Sequence, residues 1–114
     1  MKTRTLARLA GLAVMPLFGI VHSPLAHAQG DAAKEALYVK SLAATCANCH
    51  GTNGKAVEGS SVASLAGLDK NYTIAQMNAF KAGTRPATIM HQLSKGYNDA
   101  QIESLASYFA VQKK

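Results

Sequence analysis

The sequence has no tryptophan, three prolines, two cysteines and only six acidic side chains in 114 residues. Two cysteines cannot build the multi-bridge framework of a disulfide-rich secreted scaffold. The six carboxylates are scattered and offer no paired acid and base of the kind that hydrolytic sites use. Charged residues reach 16%, below the quarter typical of soluble chains, while 48% are apolar, so part of the chain reads as an apolar segment outside the folded domain. The length allows one small domain. A net charge of +6 raises nucleic acid or an anionic membrane as partners, and the position of the charge decides whether either is needed.

Half of that charge lies at the start of the chain. Lys2, Arg4 and Arg8 precede an uncharged run from Leu9 to Val21, followed by His22-Ser-Pro-Leu-Ala-His-Ala28 and Gln29. This is the charged, apolar and small-residue order of an export signal over residues 1–28, with Ala26 and Ala28 at the cleavage site. Thirteen uncharged residues broken by Pro16 fall short of the ~20 that span a bilayer. Cleavage leaves a domain over residues 29–114 with nine basic and six acidic side chains, a net +3. A periplasmic product is expected, with no membrane span and no nucleic-acid partner. A domain of that size buries only about 60–65% of its unfolded surface and commonly needs a metal, disulfide or cofactor to complete its core.

The mature segment reads as all-α, with three or four short helices. Residues 31–45 are rich in helix formers, with an acidic first turn and a cap at Asp31. Residues 51–70 hold four glycines and no sustained periodicity, which predicts a long irregular loop wrapped around something. A second helix spans 71–82, with Ile74, Met77 and Phe80 on one side and Gly83 just past its end. A short helix is expected after Pro86, with the proline at its first position, closed by Gly96. Asn98 and Gln101 form a capping-box start for the clearest helix, in which Ile102, Leu105, Ala106 and Phe109 recur at helical spacing.

The chemistry is carried by Cys46-Ala-Asn-Cys49-His50, the attachment spacing of a c-type haem. On a helical turn the three side chains project to one side. Cys46 and Cys49 can then each bond a vinyl group while His50 rises to the iron. A thioredoxin-like CxxC needs a preceding strand, and no period-two pattern is present. A zinc site would draw on Cys46, Cys49, His50 and His91, which lack the usual paired grouping. A disulfide between Cys46 and Cys49 closes too small a loop to stabilise much.

For the second axial position, Met77 and Met90 are the methionines beyond the export signal, and His91 is the other histidine. Met77 reads as a core thioether. Met90 follows the irregular stretch Gly83-Thr-Arg-Pro86 and lies forty residues after His50, enough chain to pass round a macrocycle. It is the favoured ligand, with His91 or an open position as alternatives. His/Met ligation raises the reduction potential and leaves the iron no position for oxygen or substrate, so one-electron transfer is the expected chemistry. Arg85 is a candidate partner for a haem propionate. Tyr72 and Tyr97 read as packing residues, and Lys40, Lys55, Lys81 and Lys95 as solvated surface.

Five segments resemble the class I c-type cytochromes, in the branch of cytochrome c4 domains and the haem subunit of flavocytochrome c sulfide dehydrogenase. They are CANCHGTNG at 46–54, SLAGL at 64–68, YTIAQMNAFKAGTR at 72–85, ATIMHQLSKGY at 87–97 and IESLASYFA at 102–110. The resemblance implies a class I cytochrome c fold around one covalently bound haem c, with Met90 as distal ligand. It also implies that the carbonyl of Ala63, where the family commonly has proline, accepts from the proximal His50 Nδ1–H. A single CxxCH makes this a monohaem version. The implied partners are a flavoprotein subunit carrying FAD, in a heterodimer that oxidises sulfide, and a downstream electron acceptor. The chain is then an electron-transfer subunit with no catalysis of its own. A free, diffusible cytochrome c serving other redox partners is the second reading. A haem peroxidase or a thiol oxidoreductase is the enzyme reading.

Overall fold

A computed structural model describes the backbone over residues 25–114 and side chains from residue 30 onward. Residues 1–24 of the expected export signal lie outside the described residues. Among the described residues every regular element is helical: α1 (Leu25–His50), a 3₁₀ turn (Thr52–Gly54), α2 (Lys70–Ala82), α3 (Met90–Leu93), a second 3₁₀ turn (Ser94–Gly96) and α4 (Asp99–Ala110), with an irregular loop over 55–69.

Helix α1 is longer at both ends than its sequence predicts. Asp31 is an interior residue, paired with Lys34 at 3.4 Å on a fully solvated face, and does not cap. Gly30 costs about 1 kcal/mol in a helix, and the surrounding alanines carry the helix across it. At the other end the helix runs on through CANCH, because no residue there opposes helical dihedrals. It stops at Gly51, whose φ of 81° lies in the left-handed region. A Cβ on Gly51 would stand 1.9 Å from the Lys55 carbonyl oxygen, so only glycine makes this exit.

Helix α2 starts one residue before its expected position because Asp69 caps it, the carboxylate accepting from Tyr72 N–H at 2.8 Å. It ends at Gly83, as the sequence predicts. Helix α3 begins at Met90, four residues later than a proline-led start would place it, with Ile89 as N-cap. Residues 86–89 stay irregular, so Pro86 precedes the helix without entering it. Helix α4 carries the predicted reciprocal capping box between Asn98 and Gln101, with bonds of 2.9 and 3.0 Å.

Helix α4 is the centre of the domain and packs on both α1 and α2, while α3 packs on α2. All four of its predicted core residues, Ile102, Leu105, Ala106 and Phe109, are buried. Leu105 and Phe109 form a cluster with Ala43 of α1, and Leu42, Cys46, Leu65, Tyr97 and Tyr108 pack around it. Ile74, Met77 and Phe80 of α2 are only half-buried. Ile89, the N-cap of α3, and Leu93, its last residue, are 57% and 47% exposed. Such a protein-only core is small, and a large apolar group laid against the α2–α3 side would complete it.

Candidate haem site

The site is assembled from the exit of α1. Cys46, Cys49 and His50 occupy its last turn and a half, Cys46 half-buried against the core and Cys49 exposed. Burial pushes the Cys46 thiol above its ordinary pKa, the hydroxyls of Thr45 and Tyr97 draw it partly back, and neighbouring Cys49 adds to the rise.

The loop that leaves α1 is pinned by Gly54. Its carbonyl accepts from Leu65 N–H at 2.7 Å, Ala66 N–H at 3.0 Å and the Ser64 hydroxyl at 2.8 Å. Those three bonds bring residues 63–66 back over the end of α1. There His50 Nδ1 lies 2.7 Å from the Ala63 carbonyl. A carbonyl only accepts, so Nδ1 carries the proton and donates, leaving Nε2 with the lone pair that a metal takes. Ala63 therefore stands in the place that the sequence resemblance gives it.

Met90 is the first residue of α3 and half-buried. His91, beside it, is tied to its own helix, with Nδ1 2.9 Å from the Ala87 carbonyl. Arg85 lies over the Phe80 ring at 4.5 Å and donates to the Gln76 side-chain oxygen, so its neighbours are on α2. Ser94, four residues after Met90 and thus on the same side, is wholly buried, and its Oγ has no hydrogen-bond partner among the described residues.

The donor set fits haem better than zinc. Among the described residues no group of three or more His, Cys, Asp or Glu side chains is gathered to hold a metal ion, so His91 does not join Cys46, Cys49 and His50. Two thiols and one oriented imidazole three and four residues apart at the end of one helix suit a planar macrocycle. A hollow of about 430 Å³ lies beside Cys49, lined by Asn48, Gly51, Thr52, Lys55 and Val57. A larger open cleft, about 690 Å³, lies between α1 and α4 against Val39 and Tyr108, away from the motif.

Several supporting contacts have no local signature in the sequence. The Tyr97 hydroxyl lies 2.7 Å from Thr45 Oγ1, 52 residues away. The Tyr108 hydroxyl donates to the side-chain oxygen of Asn53 at 2.7 Å, holding a residue whose φ is 55°. Of the lysines read as solvated surface, Lys81 donates to the Tyr97 carbonyl at 2.9 Å and to Asp99 at 3.0 Å, and Lys55 donates to the Lys114 carbonyl at 3.3 Å. Among the described residues no helix is long and apolar enough to cross a membrane.

Residues 36–111 match the family model described as cytochrome c. The chain is 37% identical over 89 residues to a cytochrome c4 of Pseudomonas aeruginosa, covering 78% of this chain and 42% of that protein. It is also 37% identical over 68 residues to the cytochrome subunit of sulfide dehydrogenase of Chlorobaculum tepidum, 60% of each chain. A solved structure of Acidithiobacillus ferrooxidans cytochrome c4 superposes with a TM-score of 0.54 at 35% identity, over 57% of this chain and 37% of that one. The chain thus spans about half the length of the curated relatives it matches.

Proposed function

The chain belongs to the cytochrome c family, electron carriers built on a covalently bound haem c, and from that premise we propose that it is an exported, periplasmic carrier serving as the cytochrome subunit of a sulfide-oxidising flavocytochrome. Cys46 and Cys49 would hold the haem as thioethers, and His50 and Met90 would supply the side chains that ligate its iron. Bound haem supplies one-electron exchange between the ferric and ferrous states. The observation that carries the ligand reading is the 2.7 Å contact between His50 Nδ1 and Ala63 O. It fixes the ring tautomer and its orientation and makes the imidazole a better donor.

The protein's own residues do the rest. The Met90 thioether favours the ferrous state and holds the potential above that of a bis-histidine site. The half-buried side chains of Ile74, Met77 and Phe80 on α2 offer an apolar wall that excludes water. Arg85, exposed at the end of α2, is the candidate to meet a propionate, which would require it to leave Gln76. FAD and the sulfide-oxidising chemistry belong to a partner flavoprotein, from which this chain takes electrons singly and passes them to a downstream acceptor.

A free, diffusible carrier is the second reading, favoured by an identity to cytochrome c4 equal to that with the sulfide dehydrogenase subunit. Native purification separates the two. Co-elution of the haem protein with a flavin-containing chain in constant ratio supports the subunit reading. A red protein that elutes alone, free of flavin and with the wild-type spectrum, overturns it in favour of the free carrier.

A further inference from the structure

The segment that bears Met90 packs chiefly on α2, through α3 and the 3₁₀ turn behind it, whereas the segment that bears the CxxCH motif packs on α4 and on the turn that follows it. Tyr97 joins the two. It closes the turn Ser94–Gly96, its N–H donating to the Ser94 carbonyl at 3.3 Å, seven residues after Met90. Its carbonyl takes the Lys81 ammonium of α2 at 2.9 Å. Its hydroxyl reaches α1, 2.7 Å from Thr45 Oγ1, one residue ahead of Cys46.

The direction of that last bond follows from counting protons. Thr45 donates its single hydroxyl proton to the Leu42 carbonyl at 2.7 Å. It can then only accept from Tyr97, so the chain runs from Tyr97 O–H to Thr45 O–H to the Leu42 carbonyl. Every hydroxyl proton in it is used. Cys46 Sγ lies beside the chain at 3.9 Å from Thr45 Oγ1, and once alkylated as a thioether the sulfur has no proton to compete for it.

We propose that Tyr97, acting through Thr45, is a positioning latch that ties the Met90 segment to helix α1 and so sets how firmly Met90 is held at the iron. This inference rests on the reading of Met90 as distal ligand. Opening the latch leaves the Tyr97 ring in the core and frees only the hydroxyl, so its effect falls on the population of protein in which Met90 is detached. A ligand that competes with Met90 reports that population, because its apparent affinity scales with the competent fraction.

The experiment uses the ferric holoprotein, titrated with imidazole and followed by the Soret shift and by loss of the long-wavelength methionine–iron(III) band. Tyr97→Phe and Thr45→Val should each tighten imidazole binding about fivefold, the equivalent of the ~1 kcal/mol net worth of one hydrogen bond. The double variant should match either single variant, since both break one chain. Tyr38→Phe is the control. Its hydroxyl accepts from Gln101 at 2.7 Å and also links α1 to a distant helix, yet without touching the Met90 segment. It should lower the unfolding midpoint and leave imidazole affinity unchanged. The latch is refuted if Tyr97→Phe shifts imidazole affinity less than twofold while the midpoint falls as in Tyr38→Phe, or if the two latch variants add. Failure of the ligand reading is recognised separately, by a methionine–iron(III) band that survives Met90→Ala.

Discussion

Gly54 is the most constrained position in the loop that follows the attachment motif. Placing a Cβ there puts a carbon 2.7 Å from Phe109 Cδ1, 2.8 Å from Leu65 Cβ and 2.9 Å from Phe109 Cε1, at a backbone φ of 77°. Gly54→Ala therefore has two costs. A non-glycine residue in the left-handed region costs about 1–2 kcal/mol. Moving Phe109, which is 2% exposed at the centre of the core, or shifting the backbone behind Leu65, costs about 1–3 kcal/mol more. The expected loss is about 2–5 kcal/mol, a large part of the ~5–15 kcal/mol that stabilises a domain of ordinary stability. Because the Gly54 carbonyl holds residues 64–66, the same change loosens the Ala63 carbonyl that orients His50. Guanidinium unfolding of the holoprotein, followed by far-UV circular dichroism, measures the loss, and the ferric visible spectrum reports the His50 side. A loss below 1 kcal/mol with an unchanged unfolding slope would refute the packing argument.

The other predictions concern separate parts of the molecule. Met90→Ala should abolish the long-wavelength methionine–iron(III) band and lower the potential, whereas His91→Ala should keep the band; the opposite pattern assigns the ligand to His91. In haem-free protein, iodoacetamide should modify exposed Cys49 well before Cys46, whose thiol burial holds in the protonated, unreactive form, and peptide mapping reads the order. Asn98→Ala removes the α4 capping box and should cost about 1 kcal/mol in chemical unfolding. The hydrogen bond from Lys70 at 2.8 Å, and then its charge, hold the Glu103 carboxyl below its ordinary pKa. Its small contribution is thus present above the unfolded value and lost as pH falls through the folded one. Lys70→Met should move the Glu103 titration by NMR back up toward the ordinary carboxylate range.

What the sequence made legible was local. The α4 core face, its capping box and the end of α2 at Gly83 follow from spacing and from residue chemistry within a few positions. The Ala63 carbonyl is also within reach of the sequence, because the family resemblance gives Ala63 the place of the loop proline, thirteen residues past His50. The start of α1 is not legible because Asp31 in front of an apolar run looks like a cap, while the alanines around Gly30 let the helix continue. The start of α3 is not legible because a proline can open a helix or precede one, and local sequence does not choose between them. Gly54 against Phe109 and Thr45 against Tyr97 are meetings of residues more than fifty positions apart, and no periodicity encodes them.

Those long-range contacts bear on the order in which the molecule is made. Tyr97 to Thr45, Asn53 to Tyr108 and Tyr38 to Gln101 bridge 52, 55 and 63 residues, and in each the later partner lies beyond α3. Each closes a loop whose entropy must be lost before the bond is gained. A nascent chain that has reached only α2 holds both thiols, His50 and its Ala63 partner, but none of these three bonds. The attachment motif is thus synthesised well before the contacts that enclose it, so the half-buried state of Cys46 is a property of the finished chain and not of the growing one.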